Sequence, residues 1–368
     1  MYLKRRGKVP NQAHVGIPEG LYEEEHGRNG FSGSASHLYR THPPTGWIDI
    51  DGKLKPRAFA CTQVPETVCS ITTQSLLMMQ SQDVGLYISW RRETMPYFVR
   101  NADGDEVYFV HQGRGLFETD YGVLSYEPGD YVVIPKGTTY RTHGDGAPSF
   151  FLIVETPVPL VVPERGALGQ HALFDKGVLL APELEAVESL ETEGRAWEIY
   201  IKRQSDWTRV VYPFYPMDVV GWKGDLWVAK LNVRDFRPVV SPRYHLPPSV
   251  HQTFQAGGCL ISTFVPRPLE LDPEALRVPF YHRNTDYDEV LFYHDGEFFS
   301  RAGIQPGMLT LHPQGIHHGP QPQAVQASKT KTYTSEVAVM VESKAPFMIK
   351  PEMEAVEIKD YALSWSRP

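Results

Sequence analysis

The line NADGDEVYFVHQG, starting at Asn101, returns as NTDYDEVLFYHDG at Asn284, identical at eight of thirteen positions across an offset of 183. The likeness continues downstream, where EPGDYVVIPKGTTY (127–140) answers QPGMLTLHPQGIHH (305–318). Aligning Pro135 with Pro313 superposes PGD on PGM, PKG on PQG and Tyr140 on His318, with the intervening loop five residues shorter in the second copy. A chain that writes one β unit twice, with a loop of altered length, carries two copies of one fold. Its 368 residues exceed what a single core comfortably serves.

Short runs rich in β-branched and aromatic residues lie between Pro and Gly punctuation: EVYFV (106–110), GVLSY (122–126), DYVVIP (130–135), SFFLIVET (149–156), DVVGW (218–222), CLISTFVP (259–266), EVLFY (289–293), GMLTLHP (307–313) and VAVMVES (337–343). Such runs read as an all-β sandwich or barrel. Helical periodicity is weak, and PELEAVESLETEGRAW (182–197) is its best candidate. In each copy an acidic strand is followed by a turn and a PxGxxH-like corner. This resembles the two-motif signature of the cupin barrel, so two cupin-type barrels are expected. The expected units are a metal-free N-terminal barrel with an extension (1–160), a connecting β-rich segment with one short helix (161–232), and a metal-binding C-terminal barrel (233–368).

A net charge of −8 offers no attraction to nucleic acid or an anionic membrane. No apolar run approaches the roughly 20 residues that cross a bilayer. The basic start MYLKRRGKVP has no apolar stretch behind it, and three scattered cysteines lack metal-ligand spacing. A cytoplasmic location is expected on these grounds.

The two copies differ where chemistry is to be sought. His282, Glu289 and His318 stand in the second; Val99, Glu106 and Tyr140 stand in the first. Two imidazoles and one carboxylate form the facial triad of non-haem Fe(II), which leaves positions open for substrate and oxygen. His282 and Glu289 are an odd number of residues apart and cannot share a face of one uninterrupted strand, but the turn-forming NTDYD between them can reset the register. For His317 and His318 a surface pair is the plain alternative; the PxGxxH count singles out His318. One carboxylate without an imidazole holds no iron usefully, so the first copy is expected to be metal-free. Its Glu106 then needs a partner such as Arg100, or exposure.

FYHRN (280–284), the acidic strand after it and LHPQGIHHGP (311–320) are similar to the iron-binding region of the homogentisate 1,2-dioxygenase family. IPEG (17–20), FSGSASHLYR (31–40), NADGD (101–105), PFYPMDVVGWKGDLW (213–227), YHLPPS (244–249) and FVPR (264–267) match family landmarks in the same order. The resemblance implies iron ligands at His282, His318 and Glu289. A gap-free count would give Asp288, and the repeat, through Glu106, favours Glu289. It also implies an active-site base at His245 and a pocket histidine at His312, for which a bracing role is equally open. Two family tyrosines appear here as Phe280 and Phe298, both expected to face substrate. Arg267 or Arg277 is the candidate partner for a substrate carboxylate, while His251 and His294 are expected to be structural or exposed.

The activity implied is opening of homogentisate (2,5-dihydroxyphenylacetate) by O2 to maleylacetoacetate in tyrosine and phenylalanine catabolism, in a trimer or dimer of trimers. A dioxygenase for gentisate or a substituted hydroquinone would use the same triad. A bicupin sugar isomerase would hold Zn2+ and leave oxygen untouched, and a seed-storage bicupin would lack a competent triad.

Overall fold

A computed structural model describes residues 4–65, 75–184, 195–204, 206–277, 279–298, 300–301 and 303–366. The described residues are almost wholly β, with one α-helix, Pro322–Ser328, and several short 3-10 turns. The architecture is that of a bicupin. Eight of the nine runs read from the sequence are strands; Ser149–Thr156 and Val337–Ser343 match to the residue. The exception is DVVGW, which is irregular, with Val220 fully exposed and no strand beside it. The candidate helix at 182–197 falls mostly outside the described residues, and Trp197 begins the strand Trp197–Arg203.

The first unit has a seven-stranded and a six-stranded sheet, and the second is built on a six-stranded sheet. Within the duplicated line, strands Asp105–Gln112 and Asp288–Asp295 alternate strictly. Val107 and Phe109, like Val290 and Phe292, join one large apolar core shared by the two units. Tyr108 and Val110 turn instead into the first barrel's own core, and Leu291 and Tyr293 into a separate cluster in the second unit. Phe109 and Phe292, equivalent in the repeat, approach ring to ring at 6.4 Å. The two copies therefore pack back to back.

The identical residues of the repeat build the same turn twice. Asn101 Oδ1 accepts the backbone N–H groups of Asp103 and Gly104, and Asn284 Oδ1 those of Asp286 and Tyr287. Asp105 accepts the N–H groups of Lys136 and Leu160; Asp288 accepts those of Gln314 and Phe347. Gly113 and Gly296 both have positive φ (92° and 89°), and a Cβ there would strike the adjacent chain at Ser149 or Ser335.

Contacts cross the boundary expected at residue 160. Strand Arg57–Ala60 pairs with Met308–His312 in the second unit, and Met348–Ile349 pairs with Ser75–Gln80 in the first. Strand Tyr22–Gly27 runs parallel to Tyr281–Asn284 and antiparallel to Ala35–Arg40. This N-terminal pair lies directly against the strand that carries His282.

Candidate metal centre

His282, Glu289 and His318 arrive from three places. His282 lies on Tyr281–Asn284, and Glu289 opens Asp288–Asp295 on its inward face. His318 follows the corner at Pro313 and Gly315, where a positive φ of 79° is easy only for glycine. Backbone hydrogen bonds in both directions, each 2.9 Å, tie His282 to His318. All three side chains are buried, and one donor atom of each lies within 4.8 Å of the others.

The hydrogen bonds set the imidazoles for metal binding. His282 Nδ1 is 3.0 Å from the carbonyl of Phe280, and His318 Nδ1 is 3.0 Å from that of Ile316. A carbonyl only accepts, so both rings donate from Nδ1, and Nε2 is the atom each turns toward Glu289 and would offer a metal once free of a proton. Those Nε2 atoms lie 3.4 and 2.9 Å from the two Glu289 oxygens. His282 Nε2 is buried without a hydrogen bond, a costly state for a lone pair unless a cation fills it. Burial pushes the Glu289 carboxyl up, but His318 and His282 outweigh it and hold the group ionised. Asn284 Nδ2 donates to Glu289 Oε1 at 3.2 Å.

Parity separates Glu289 from Asp288. A shift of one residue along a strand turns a side chain to the other face. Asp288 faces out with Val290 and Phe292 and is spent on two backbone N–H groups, as Asp105 is in the first copy.

A cavity of about 100 Å³ opens on the three residues. His245 lines it and sets Nδ1 2.8 Å from Glu270 Oε1, so that with the proton on Nδ1 its Nε2 is left as an acceptor. His312 also lines it, stacked on His318 at 4.7 Å with Nε2 3.1 Å from the Tyr361 hydroxyl. Arg267 lines it too, but already pairs with Glu336. Phe280 packs against His282 and His245 (ring centroids 5.4 and 6.0 Å) rather than facing the cavity.

Two further expected positions stand elsewhere. Arg277 lies outside the cavity wall and donates to the carbonyl of Lys329 on an exposed surface. Phe298 packs on Tyr293 in a separate apolar cluster, because its side chain turns away from the cavity. His251, expected to be structural or exposed, is buried in the cavity wall, its imidazolium strongly disfavoured by burial and then by Arg267. Sequence reasoning also missed Arg301, whose Nε is buried and unpartnered beside the cavity. Glu342 was missed as well; it is the cross-strand neighbour of Glu289, and burial and the Glu289 charge keep it protonated. Only the repeat pattern of alternating strands could have hinted at Glu342, and nothing local marks Arg301.

In the first unit Val99, Glu106 and Tyr140 take the corresponding places. Arg100 donates to Thr139, not to Glu106; the partner is Tyr140, whose hydroxyl donates at 2.9 Å. Burial, then Glu155, pushes the Glu106 carboxyl up to about 7.

Comparison with known proteins agrees with this geometry. Residues 61–232 match the family model for the homogentisate 1,2-dioxygenase N-terminal domain, and 249–367 that for its C-terminal domain. A Saccharolobus solfataricus protein provisionally named a dioxygenase is 33% identical, over 99% of each chain. A homogentisate 1,2-dioxygenase of Rhodopseudomonas palustris is 28% identical over 72% of this chain and 62% of its own length, so the aligned part falls short of two thirds of that relative. One from Nitrobacter hamburgensis is 27% identical over 89% of this chain and 77% of its own. With a matching model over each half, and a buried cluster of two histidines and one glutamate in the second, the chain belongs to the homogentisate 1,2-dioxygenase family.

Proposed function

We propose that this chain is an Fe(II)-dependent dioxygenase that opens the ring of a para-diol, homogentisate before gentisate or a plain hydroquinone. The observation that carries the reading is the pair of buried Nε2 atoms of His282 and His318 turned toward Glu289 inside a cavity. Two imidazoles and a carboxylate suit Fe(II) and leave adjacent positions open. When bound, the iron supplies the Lewis acidity and redox capacity that bring a diol and O2 to reaction.

The chain's own groups do the rest. His245 takes a phenol proton on Nε2, and Glu270 at Nδ1 stabilises the imidazolium that forms. Arg301, with its free Nε, is the cation placed to meet a ring-side carboxylate, so an acidic diol is preferred over hydroquinone. His312 braces His318 through their stacked rings and is itself held by Tyr361. The reading places the reaction in tyrosine and phenylalanine breakdown, in a homo-oligomer within the cytoplasm. No helix among the described residues is long and apolar enough to cross a membrane.

Neither Phe280 nor Phe298 lines the cavity, so neither separates homogentisate from gentisate or hydroquinone. The test is O2 consumption by protein reconstituted anaerobically with Fe(II) and offered each diol in turn. Uptake with homogentisate is expected to be fastest; uptake with gentisate alone would transfer the assignment to that substrate.

A further inference from the structure

A second set of metal-type side chains lies on the far side of Phe280. The N-terminal strand pair extends the strand that carries His282, so that His282, Glu25 and His37 are register neighbours in three adjacent strands. Two register pairs along, Glu23 faces Tyr39 and accepts from its hydroxyl at 2.7 Å. His14 comes in from the preceding turn with its backbone at a φ of +64°, a conformation rarely adopted without glycine. Its Nδ1 is 2.5 Å from Glu23 Oε1, and its backbone N–H also points at that carboxylate.

His37 completes the group. Its ring centroid lies 5.0 Å from that of His14. Its Nε2 is buried and lacks an aligned hydrogen bond, although Glu25 Oε2 is 3.2 Å away. One donor atom each from His14, Glu23 and His37 falls within a 4.8 Å span. Burial works against ionised Glu23, but His14 and then Tyr39 keep it a carboxylate.

We propose that His14, Glu23 and His37 form a second metal site, for a zinc-class divalent cation, with Glu25, 3.2 Å from His37 Nε2, able to swing in as a fourth donor. Nitrogen and carboxylate donors in a closed set of four are what a structural zinc ion takes. Bond lengths of about 2.0–2.2 Å would hold the donors apart, so the 2.5 Å contact between His14 Nδ1 and Glu23 opens on binding and the proton between them is displaced. The site is separate from the first. The Phe280 ring stands between them, 4.4 Å from the His14 ring and 5.4 Å from that of His282. Its effect is to clamp the residue 14 turn and both N-terminal strands onto the strand bearing His282. This inference stands independently of the reaction at the first site, since it concerns stoichiometry and stability.

The test uses the full chain stripped with chelator and titrated with Zn2+, with bound metal counted by mass spectrometry and folding followed by circular dichroism. The His282→Ala/His318→Ala variant should still bind one equivalent and gain roughly 2–4 °C in melting temperature from excess Zn2+. Adding His14→Gln and His37→Gln to it should remove both effects. In the otherwise unaltered chain, His37→Gln alone should lower zinc by one equivalent. The proposal is overturned if the His282→Ala/His318→Ala protein is folded and binds no zinc, or if its zinc survives the loss of His14 and His37.

Discussion

His111 Nδ1 lies 2.9 Å from His294 Nδ1, and these are the same position in the two copies of the repeated line. The rings meet where the copies pack back to back, next to Phe109, Phe150 and Phe292. One nitrogen must donate and the other accept, so at least one ring is neutral at this contact. Burial lowers His111 to about 3, with His294 adding to it, and burial lowers His294 to about 4. In the unfolded chain both titrate near 6.5. Depressed folded values mean the unfolded state takes up protons first as the pH falls, so stability is full above about pH 6.5 and declines below it. The loss between pH 7 and pH 5 should be on the order of 1–2 kcal/mol per histidine, discounting for partial exposure. The His111→Leu/His294→Leu double variant should flatten this acid slope in urea unfolding. An unchanged slope would mean the pair is not its source.

Glu289 and Asp288 are adjacent carboxylates with opposite expected phenotypes. Glu289→Gln should abolish tight iron binding at His282 and His318 while leaving the fold intact, because the amide keeps the shape. Asp288→Asn should retain the iron and lose about 1–3 kcal/mol, because two half-buried backbone N–H groups lose their charged acceptor. Metal analysis beside thermal melts distinguishes the two, and iron lost only from Asp288→Asn would reverse the ligand assignment.

His245→Ala should keep its iron yet lower kcat by roughly 10²–10⁴-fold, the usual worth of a positioned proton acceptor. Glu270→Gln should cost less and shift the acid limb of the pH–rate profile, since it removes the charge behind His245 Nδ1. If His245→Ala lost iron as well, its role would be structural.

Arg301→Lys removes the Nε donor but keeps a charge. It should raise KM for homogentisate more than for unsubstituted hydroquinone, whereas equal effects on both would place the substrate carboxylate elsewhere.

Much of this was readable before any coordinates, because duplication supplies its own control. Shared Asn, Asp and Gly residues proved to be turn and strand geometry: Asn101 with Asn284, Asp105 with Asp288, Gly113 with Gly296. The differing residues, Val99 against His282 and Tyr140 against His318, occupy the barrel interiors. The repeat, through Glu106, pointed to Glu289 rather than Asp288. What escaped was long-range. Nothing near Glu25 announces that its strand will pair in parallel with His282, and no local pattern marks Arg301 or His251 as cavity walls. The arginine expected at the cavity, Arg277, has a charge that reads alike whether it faces a cavity or water. DVVGW has strand composition but no partner strand among the described residues, and composition alone does not provide one.

The central claim is that Fe(II) at His282, Glu289 and His318 opens a para-diol with molecular oxygen. The most direct measurement is mass analysis of the product formed from homogentisate under 18O2 by the Fe(II)-reconstituted chain, beside the same protein carrying His318→Ala. Both labelled oxygen atoms should appear in one ring-opened product, and the variant should form none. Full iron loading with no ring-opened product from homogentisate, gentisate or hydroquinone would contradict the claim, as would equal product from the His318→Ala chain.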